Sequence, residues 1–361
     1  MSAHIAWLER LSPWPTGGFG TERMRALLAQ LGDPQAGLPA VHVVGTNGKS
    51  TTTRMAEALL LAEGVATGAY LSPHVRSWSE RIRVRGTEAD VEAALAAVRP
   101  AAERLNATQF EVLTAAAFVA FRGAGVEAAV VEAGLGGRHD ATNVLDATRV
   151  VVLTNVSLDH TDVLGETREA IAAEKLAVVR PGCRVVTGEA EWEVAAREAG
   201  AESVLVVSSD PRALARAAAE AFLGRPVDTG PLDTVFLPGR LENRDGEIRD
   251  GAHNVEGVRW LVEHLPAGDY TVVASILADK DVEGMLAGLA EAGERFVACR
   301  SSSPRTLPES ELAERARAWF AQVEERADPV EALALGHALG EPVLVTGSLY
   351  LLADLERAGD G

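Results

Sequence analysis

The chain has 361 residues, 47% of them apolar and 24% charged, which is ordinary for a globular protein and leaves room for two domains with sizeable cores. Its formal net charge is −18 with no basic stripe to offset it, which argues against a general nucleic-acid binder but not against small anionic ligands. No run of about 18 apolar residues marks a membrane span, MSAHIAWLERL does not read as a signal peptide, and the two cysteines, Cys183 and Cys299, suggest no disulfide framework, so a reducing cytoplasm is expected.

Along the chain, short apolar runs alternate with helical patterns. PAVHVVG (39–45) predicts a strand and 49–63 a helix. A weaker strand follows at 65–71, then helices at 88–105 and 109–122. EAAVVEA (127–133) and RVVVLTNV (149–156) predict strands, followed by a helix at 167–179, strands at 184–187 and 203–207, and a helix at 211–223. A second series has strands at 247–250, 270–277, 295–299 and 342–347, with helices at 254–264, 281–292, 308–320, 328–338 and 348–357. Apolar strands alternating with helices predict mostly parallel sheets covered on both faces. The Pro- and Gly-bearing stretch 224–240 is the natural hinge, so the chain divides into 1–235 and 236–361.

In open α/β sheets, ligands bind beyond the carboxyl ends of the strands. The first strand ends in Gly45-Thr46-Asn47-Gly48-Lys49-Ser50, the second in Ser72-Pro73-His74. The strand 127–133 ends at Glu132 before GLGGR, and 149–156 runs into Asp159-His160. In the second series, 247–250 ends in Asp250 with His253 close behind, 270–277 leads to Asp279-Lys280 and 342–347 to Ser348. Two such edges facing across a hinge would form a cleft between domains.

Each piece also has a plainer reading. GTNGKS lacks the first glycine of Gly-x-x-x-x-Gly-Lys-[Ser/Thr], since Val43 stands there. A glycine turn before a helix is common, but Lys49 and the hydroxyls of Ser50 and Thr51 add a cation and metal donors to a helix start that attracts anions. His160 alone reads equally as a packing residue and Glu132 as a surface carboxylate. Glu111 in Thr108-Gln109-Phe110-Glu111 fits a capping box, a structural role. Lys175 shares a helical face with Ile171 and Val178; such a lysine usually snorkels. If buried, its amine would be neutral and open to carbamylation.

Together these stretches resemble the folylpolyglutamate synthase family, including bifunctional dihydrofolate synthase/folylpolyglutamate synthases, of the Mur ligase superfamily. The matches are GTNGK (45–49), LSPH (71–74), FEVLT (110–114), EAGLGGRHDATNV (132–144), LDHT (158–161), 164–167, Glu174-Lys175, PGR (238–240), DGAHN (250–254) and Gly347-Ser348, in order over most of the chain. The resemblance implies an α/β protein of two domains. One is an N-terminal P-loop-type ATPase domain with a mostly parallel sheet; the other is a smaller, Rossmann-like C-terminal domain. It implies that Gly45, Thr46, Asn47, Gly48, Lys49, Ser50 and Thr51 bind the ATP phosphates, with Arg240, Asp250 and His253 as further ATP contacts. Ser50, Ser72, Glu132 and His160 would hold Mg²⁺ at two sites, with Lys175 carbamylated beside the second. Lys49, Lys175 and His160 would serve catalysis. Phe110, His139, Asp140 and Ala141 would hold the folate.

The implied reaction is ATP- and Mg²⁺-dependent ligation of L-glutamate to a folate or to dihydropteroate through an acyl phosphate. Small-molecule substrates, a monomer, and neither nucleic-acid nor membrane partners are expected. The family's adenine-holding asparagine has no clear counterpart in 210–222, where Arg212 stands nearest. Rival readings are another Mur-type amide ligase, a motion-coupled P-loop NTPase, and a degenerate nucleotide-binding protein. With only 44 residues ahead of Gly45, a UDP-binding domain is not expected there.

Overall fold

A computed structural model describes residues 2–15, 18–244 and 246–359. It divides into two compact units. The first runs to Pro73 and resumes over Trp78–Phe236; the second holds His74–Ser77 and the chain from Leu237 on. A single division near 235 leaves out the excursion at His74–Ser77. Val75 there joins the second unit's apolar cluster with Val273, Val297 and Leu352, and Arg76 pairs with Glu242 and Glu356.

Among the described residues, the first unit is built on an eight-stranded sheet. Its strands are β1 (Ala40–Val44), β2 (Thr67–Tyr70), β3 (Ile82–Val84), β4 (Thr87–Glu88), β5 (Ala128–Glu132), β6 (Thr148–Leu153), β7 (Arg184–Thr187) and β8 (Ser203–Val206). Their order is β4-β3-β2-β5-β1-β6-β7-β8. The β2–β3–β4 pairs are antiparallel and the rest parallel. The chain passes from β1 through the helix Lys49–Ala62 to β2 on one side, and reaches β6 on the other. That reversal opens a crevice at the carboxyl ends of β5, β1 and β6.

The central strands are apolar on both faces because helices cover both. Val41, Val43, Val130 and Val152 pack with Leu59, Leu214 and Ala218 on one side. Ala40 and Val131 pack with Phe118 and Phe121 on the other. Each fully buried large apolar side chain contributes about 1.5–3 kcal/mol.

The second unit's sheet holds β9 (Glu242–Arg244), β10 (Glu247–Arg249), β11 (Thr271–Ala274), β12 (Arg295–Ala298), β13 (Gln322–Glu325) and β14 (Val343–Thr346), in the order β13-β12-β11-β14-β10-β9. All pairs but β9–β10 are parallel. The predicted strands and helices of both units are present, with differences at their ends. The helix expected from residue 88 starts at Val91, because Thr87–Glu88 pair in a hairpin and the Asp90 side chain accepts from Ala93 N. The hairpin β3–β4, β9, β13 and the helices Ala3–Leu8 and Glu22–Gln30 are additional. β13 reads Gln-Val-Glu-Glu, a polar edge strand without an apolar run to announce it. Among the described residues no helix is long and apolar enough to cross a membrane.

Candidate active site

β1 ends at Val44, so Val43 stays in the strand and the turn begins at Gly45. A Cβ at Gly45 would fall 1.8 Å from Thr154 Oγ1; only glycine fits there. Gly48, left-handed at φ 77°, is the N-cap of the helix Lys49–Ala62, so the helix's first N–H groups point toward the turn. Asn155, just beyond β6, braces the turn: its Oδ1 accepts from Thr46 N (3.2 Å) and Asn47 N (2.8 Å). Thr154 Oγ1 donates to Asn47 O at 2.7 Å, and Ser157 N to Thr46 Oγ1 at 3.1 Å. Lys49 Nζ folds back on Thr46 O at 3.0 Å.

Glu132 closes β5 beside this turn, in register with Val43. It is 1% exposed, so it is no surface carboxylate. Its Oε1 accepts from Ser50 Oγ at 3.0 Å and its Oε2 from Ser72 N at 3.1 Å. Lys175 is 3% exposed and does not snorkel. Its Nζ donates to Gly45 O at 2.8 Å. Burial lowers its pKa to about 7, with Lys49 adding to the effect and Asp159, Asp140 and Glu174 opposing it. A lysine so placed is neutral for much of the time at physiological pH.

The Ser50 hydroxyl and Glu132 carboxylate are hard oxygen donors that suit Mg²⁺, which fills the rest of its shell with water and phosphate oxygens. Among the described residues, no three His, Cys, Asp or Glu side chains gather in a metal-sized cluster. His160 is exposed at the N-cap of the helix Thr161–Leu164, in a left-handed conformation, with Nε2 3.9 Å from Asp159 Oδ2.

The stretch after Glu132 is a second glycine-rich loop. The Phe110 ring lies over Gly134, where a Cβ would meet it at 2.5 Å. A Cβ at Gly137 would lie 2.6 Å from Lys175 O, and Arg138 N donates to Glu174 O at 3.0 Å. The loop thus runs against the backbone of the lysine-bearing helix Arg168–Leu176. His139 is exposed, whereas Asp140 and Ala141 are buried. Asp140 accepts from Leu135 N, Thr142 N and Thr142 Oγ1. Burial raises its pKa, and these bonds oppose that. Glu111 forms the predicted capping box with Thr108. It also pairs with Arg23 Nε at 2.7 Å.

In the second unit, Asp250 is buried beyond β10. It accepts from Leu241 N and Ala252 N, each at 2.8 Å. Burial raises its pKa and Arg240 opposes the rise. The Arg240 guanidinium lies where a Cβ at Gly251 would be 2.5 Å from Nη1. His253 Nδ1 is 2.8 Å from Gly251 O.

The structure therefore gathers Lys49, Ser50, Ser72, Glu132 and Lys175 in the first unit, and Arg240, Asp250 and His253 in the second. Thr154, Asn155 and Ser157 were missed from sequence, although the strand-end rule applied to β6 points at them. Arg212 pairs with Asp233 at 2.6 Å. The helix Pro211–Leu223 starts beside the turn, with Pro211 Cγ 3.8 Å from where a Cβ on Gly48 would stand.

Residues 43–218 match the Mur ligase middle domain family. The chain is 31% identical to the dihydrofolate synthase/folylpolyglutamate synthase of Escherichia coli, with 100% of this chain and 96% of that protein covered. It superposes on E. coli FolC in complex with DHPP and ADP with a TM-score of 0.87 at 30% identity, covering 99% of this chain and 98% of that one. A Yersinia pestis bifunctional folylpolyglutamate synthase/dihydrofolate synthase complexed with AMPPNP and Mn ion gives a TM-score of 0.88 at 30% identity, covering 100% and 99%.

Proposed function

The chain belongs to the dihydrofolate synthase/folylpolyglutamate synthase family, and from that premise we propose how its residues share the work of an ATP- and divalent-metal-dependent ligase that joins L-glutamate to a folate. The reading rests chiefly on one observation: Lys49, Ser50, Glu132 and Lys175 converge where β1 and β5 end.

The reaction must bring two anions together, the γ-phosphoryl group of ATP and a carboxylate of the folate. Transfer gives an acyl phosphate and ADP. The amino group of glutamate attacks the acyl carbon, and the tetrahedral adduct expels phosphate to leave the amide. The turn at 45–51 offers backbone N–H groups, a helix N-terminus and Lys49 to the phosphates. Ser50, Ser72, Glu132 and His160 are the assigned metal-holding residues. The bound metal, when present, supplies positive charge against the transferring phosphoryl group.

Lys175 has two roles open to it by its chemistry. As a cation near Gly45 it stabilises anions; as a neutral amine it can take up CO₂ and become an anionic carbamate. We assign it the carbamate role beside a second metal. Arg240, Asp250 and His253 are assigned to ATP from the second unit. Phe110, His139, Asp140 and Ala141 are assigned to the pterin-bearing acceptor, with the Phe110 ring as an apolar wall over Gly134. The division of the chain near 235, the monomeric state and the cytoplasmic setting belong to the same proposal. Dihydropteroate is proposed as a second acceptor.

The test supplies ATP, Mg²⁺ and L-glutamate with either dihydropteroate or tetrahydrofolate. Acceptor-dependent phosphate release and a glutamylated product are expected with tetrahydrofolate. Release with dihydropteroate supports the bifunctional reading, and its absence limits the enzyme to polyglutamylation. No acceptor-dependent turnover with either compound would sink the assignment.

A further inference from the structure

β1 lies at the centre of the first sheet with all five residues buried. A strand in that place reads as an unbroken apolar run. This one reads Ala-Val-His-Val-Val, and His42 is 1% exposed. An imidazole there loses its hydration and needs a partner inside the protein. The partner is Thr142, far along the chain in the second glycine-rich loop and itself fully buried, with its Oγ1 2.8 Å from His42 Nε2.

The direction of these bonds follows from the donors available. Asp140 Oδ1 accepts from Thr142 N at 2.9 Å and from Thr142 Oγ1 at 2.5 Å. Its Oδ2 accepts from Leu135 N at 2.9 Å. A carboxylate has about four acceptor sites, so Asp140 spends itself on its own loop. The single hydroxyl proton of Thr142 goes to Asp140, which leaves the Thr142 oxygen to accept from His42 Nε2–H. Burial, with Arg180 adding to it, lowers the His42 pKa to about 3, so the ring is neutral and can hold one tautomer. Elsewhere the loop is tied at Asn143, which accepts from Arg25 at its carbonyl and from Arg180 at its side chain.

We propose that His42 and Thr142 are positioning residues for the acceptor: through Asp140 they set the shape of loop 134–142 from beneath, and so the fit of the acceptor's ring end. This rests on the assignment of that loop to the acceptor. The His42 ring is hydrogen-bonded to Thr142, on the acceptor side, although it lies in the strand that leads into the phosphate turn. A purely structural role would loosen strand and turn together, and ATP binding would suffer with acceptor binding.

The experiment compares Thr142→Val, Thr142→Ser and His42→Phe in the full chain. KM is measured separately for tetrahydrofolate, dihydropteroate and ATP, together with the thermal melt. Acceptor-dependent turnover by the unaltered protein establishes the activity, and a raised acceptor KM in Phe110→Ala, whose ring lies over Gly134, establishes the acceptor assignment, so failure there is distinct from failure of the positioning role. Thr142→Val and His42→Phe are expected to raise the acceptor KM about ten-fold, with the ATP KM within about two-fold of the original. Thr142→Ser, which keeps the hydroxyl, is expected to restore the acceptor KM. An unchanged acceptor KM, an equal rise in the ATP KM, or Thr142→Ser behaving like Thr142→Val overturns the proposal.

Should the two disruptive variants not fold, ¹⁵N-histidine spectra of the unaltered protein decide. The His42 signal, assigned by correlating the ring with its own backbone resonances, must show a neutral Nε2–H tautomer. An Nδ1–H tautomer or an imidazolium overturns it.

Discussion

The two glycine-rich loops of the first unit lie side by side and are held in opposite ways. The phosphate turn at 45–48 is braced from outside: Asn155 and Thr154, beyond the neighbouring strand β6, take up its N–H and C=O groups. The loop 134–142 is braced chiefly from within, around the buried Asp140 carboxylate, with outward ties from Arg138 N to Glu174 O and between Thr142 and His42. An external brace fixes the turn without drawing on the start of the helix Lys49–Ala62, whose N-terminus attracts anions. An internal brace gives a longer loop a definite shape before any ligand arrives, which lowers the ordering cost of binding. Glu132 and Lys175 stand where the two loops meet. Glu132 bonds Ser50 at the head of one and begins the other. Lys175 bonds Gly45 through its amine, and its carbonyl lies against Gly137.

Substitutions at the shared residues should therefore cost most. Glu132→Gln keeps the shape and an acceptor for Ser50 or Ser72 but removes the charge. Turnover is expected to fall by about 10³-fold or more, with a cooperative melt near that of the unaltered protein. Normal activity in a folded variant would remove Glu132 from the chemistry.

Lys175→Met comes next. It is expected to abolish most turnover, and added bicarbonate should not restore it; full activity would end the carbamate assignment. Its effect on stability has a definite sign. Burial lowers the folded-state pKa to about 7 from an ordinary 10.5. Between those values the unfolded chain binds more protons than the folded one, so stability from this group rises with pH, and below about 7 the full burial penalty applies. Methionine removes that penalty. With CO₂ excluded, so that the amine is unmodified, the variant's gain in denaturant stability should be on the order of a few kcal/mol at about pH 6 and should shrink as pH approaches about 10. A gain independent of pH would mean the amine is not buried as a base.

Asn155→Ala tests the external brace alone. It is expected to raise the ATP KM by about ten-fold, chiefly from the loss of the side-chain bond to Asn47 N, since Thr46 N keeps the Asn155 carbonyl at 3.0 Å, while the acceptor KM stays close to its original value. An equal rise in both would show that the two loops are not held separately.

Much of this site could be read from local sequence. Apolar runs followed by Gly45–Ser50 and by Glu132 located two strand ends correctly, because strand period and turn chemistry act over a few residues. The capping box at Thr108 and Glu111 was legible for the same reason. The hairpin β3–β4 and the polar edge strand β13 were not, since short or polar strands exist only by virtue of a neighbour to pair with.

What the sequence by itself determined is which residue types stand at the ends of which strands, and hence the family and the reaction class. Tertiary structure decided the rest. It buried Lys175 rather than letting it snorkel, buried Glu132 rather than leaving it on the surface, and brought Asn155 to the turn and Thr142 to His42. Those outcomes depend on partners about a hundred residues away in the chain. Burial and long-range hydrogen bonding are properties of the packed sheet, and no local pattern carries them.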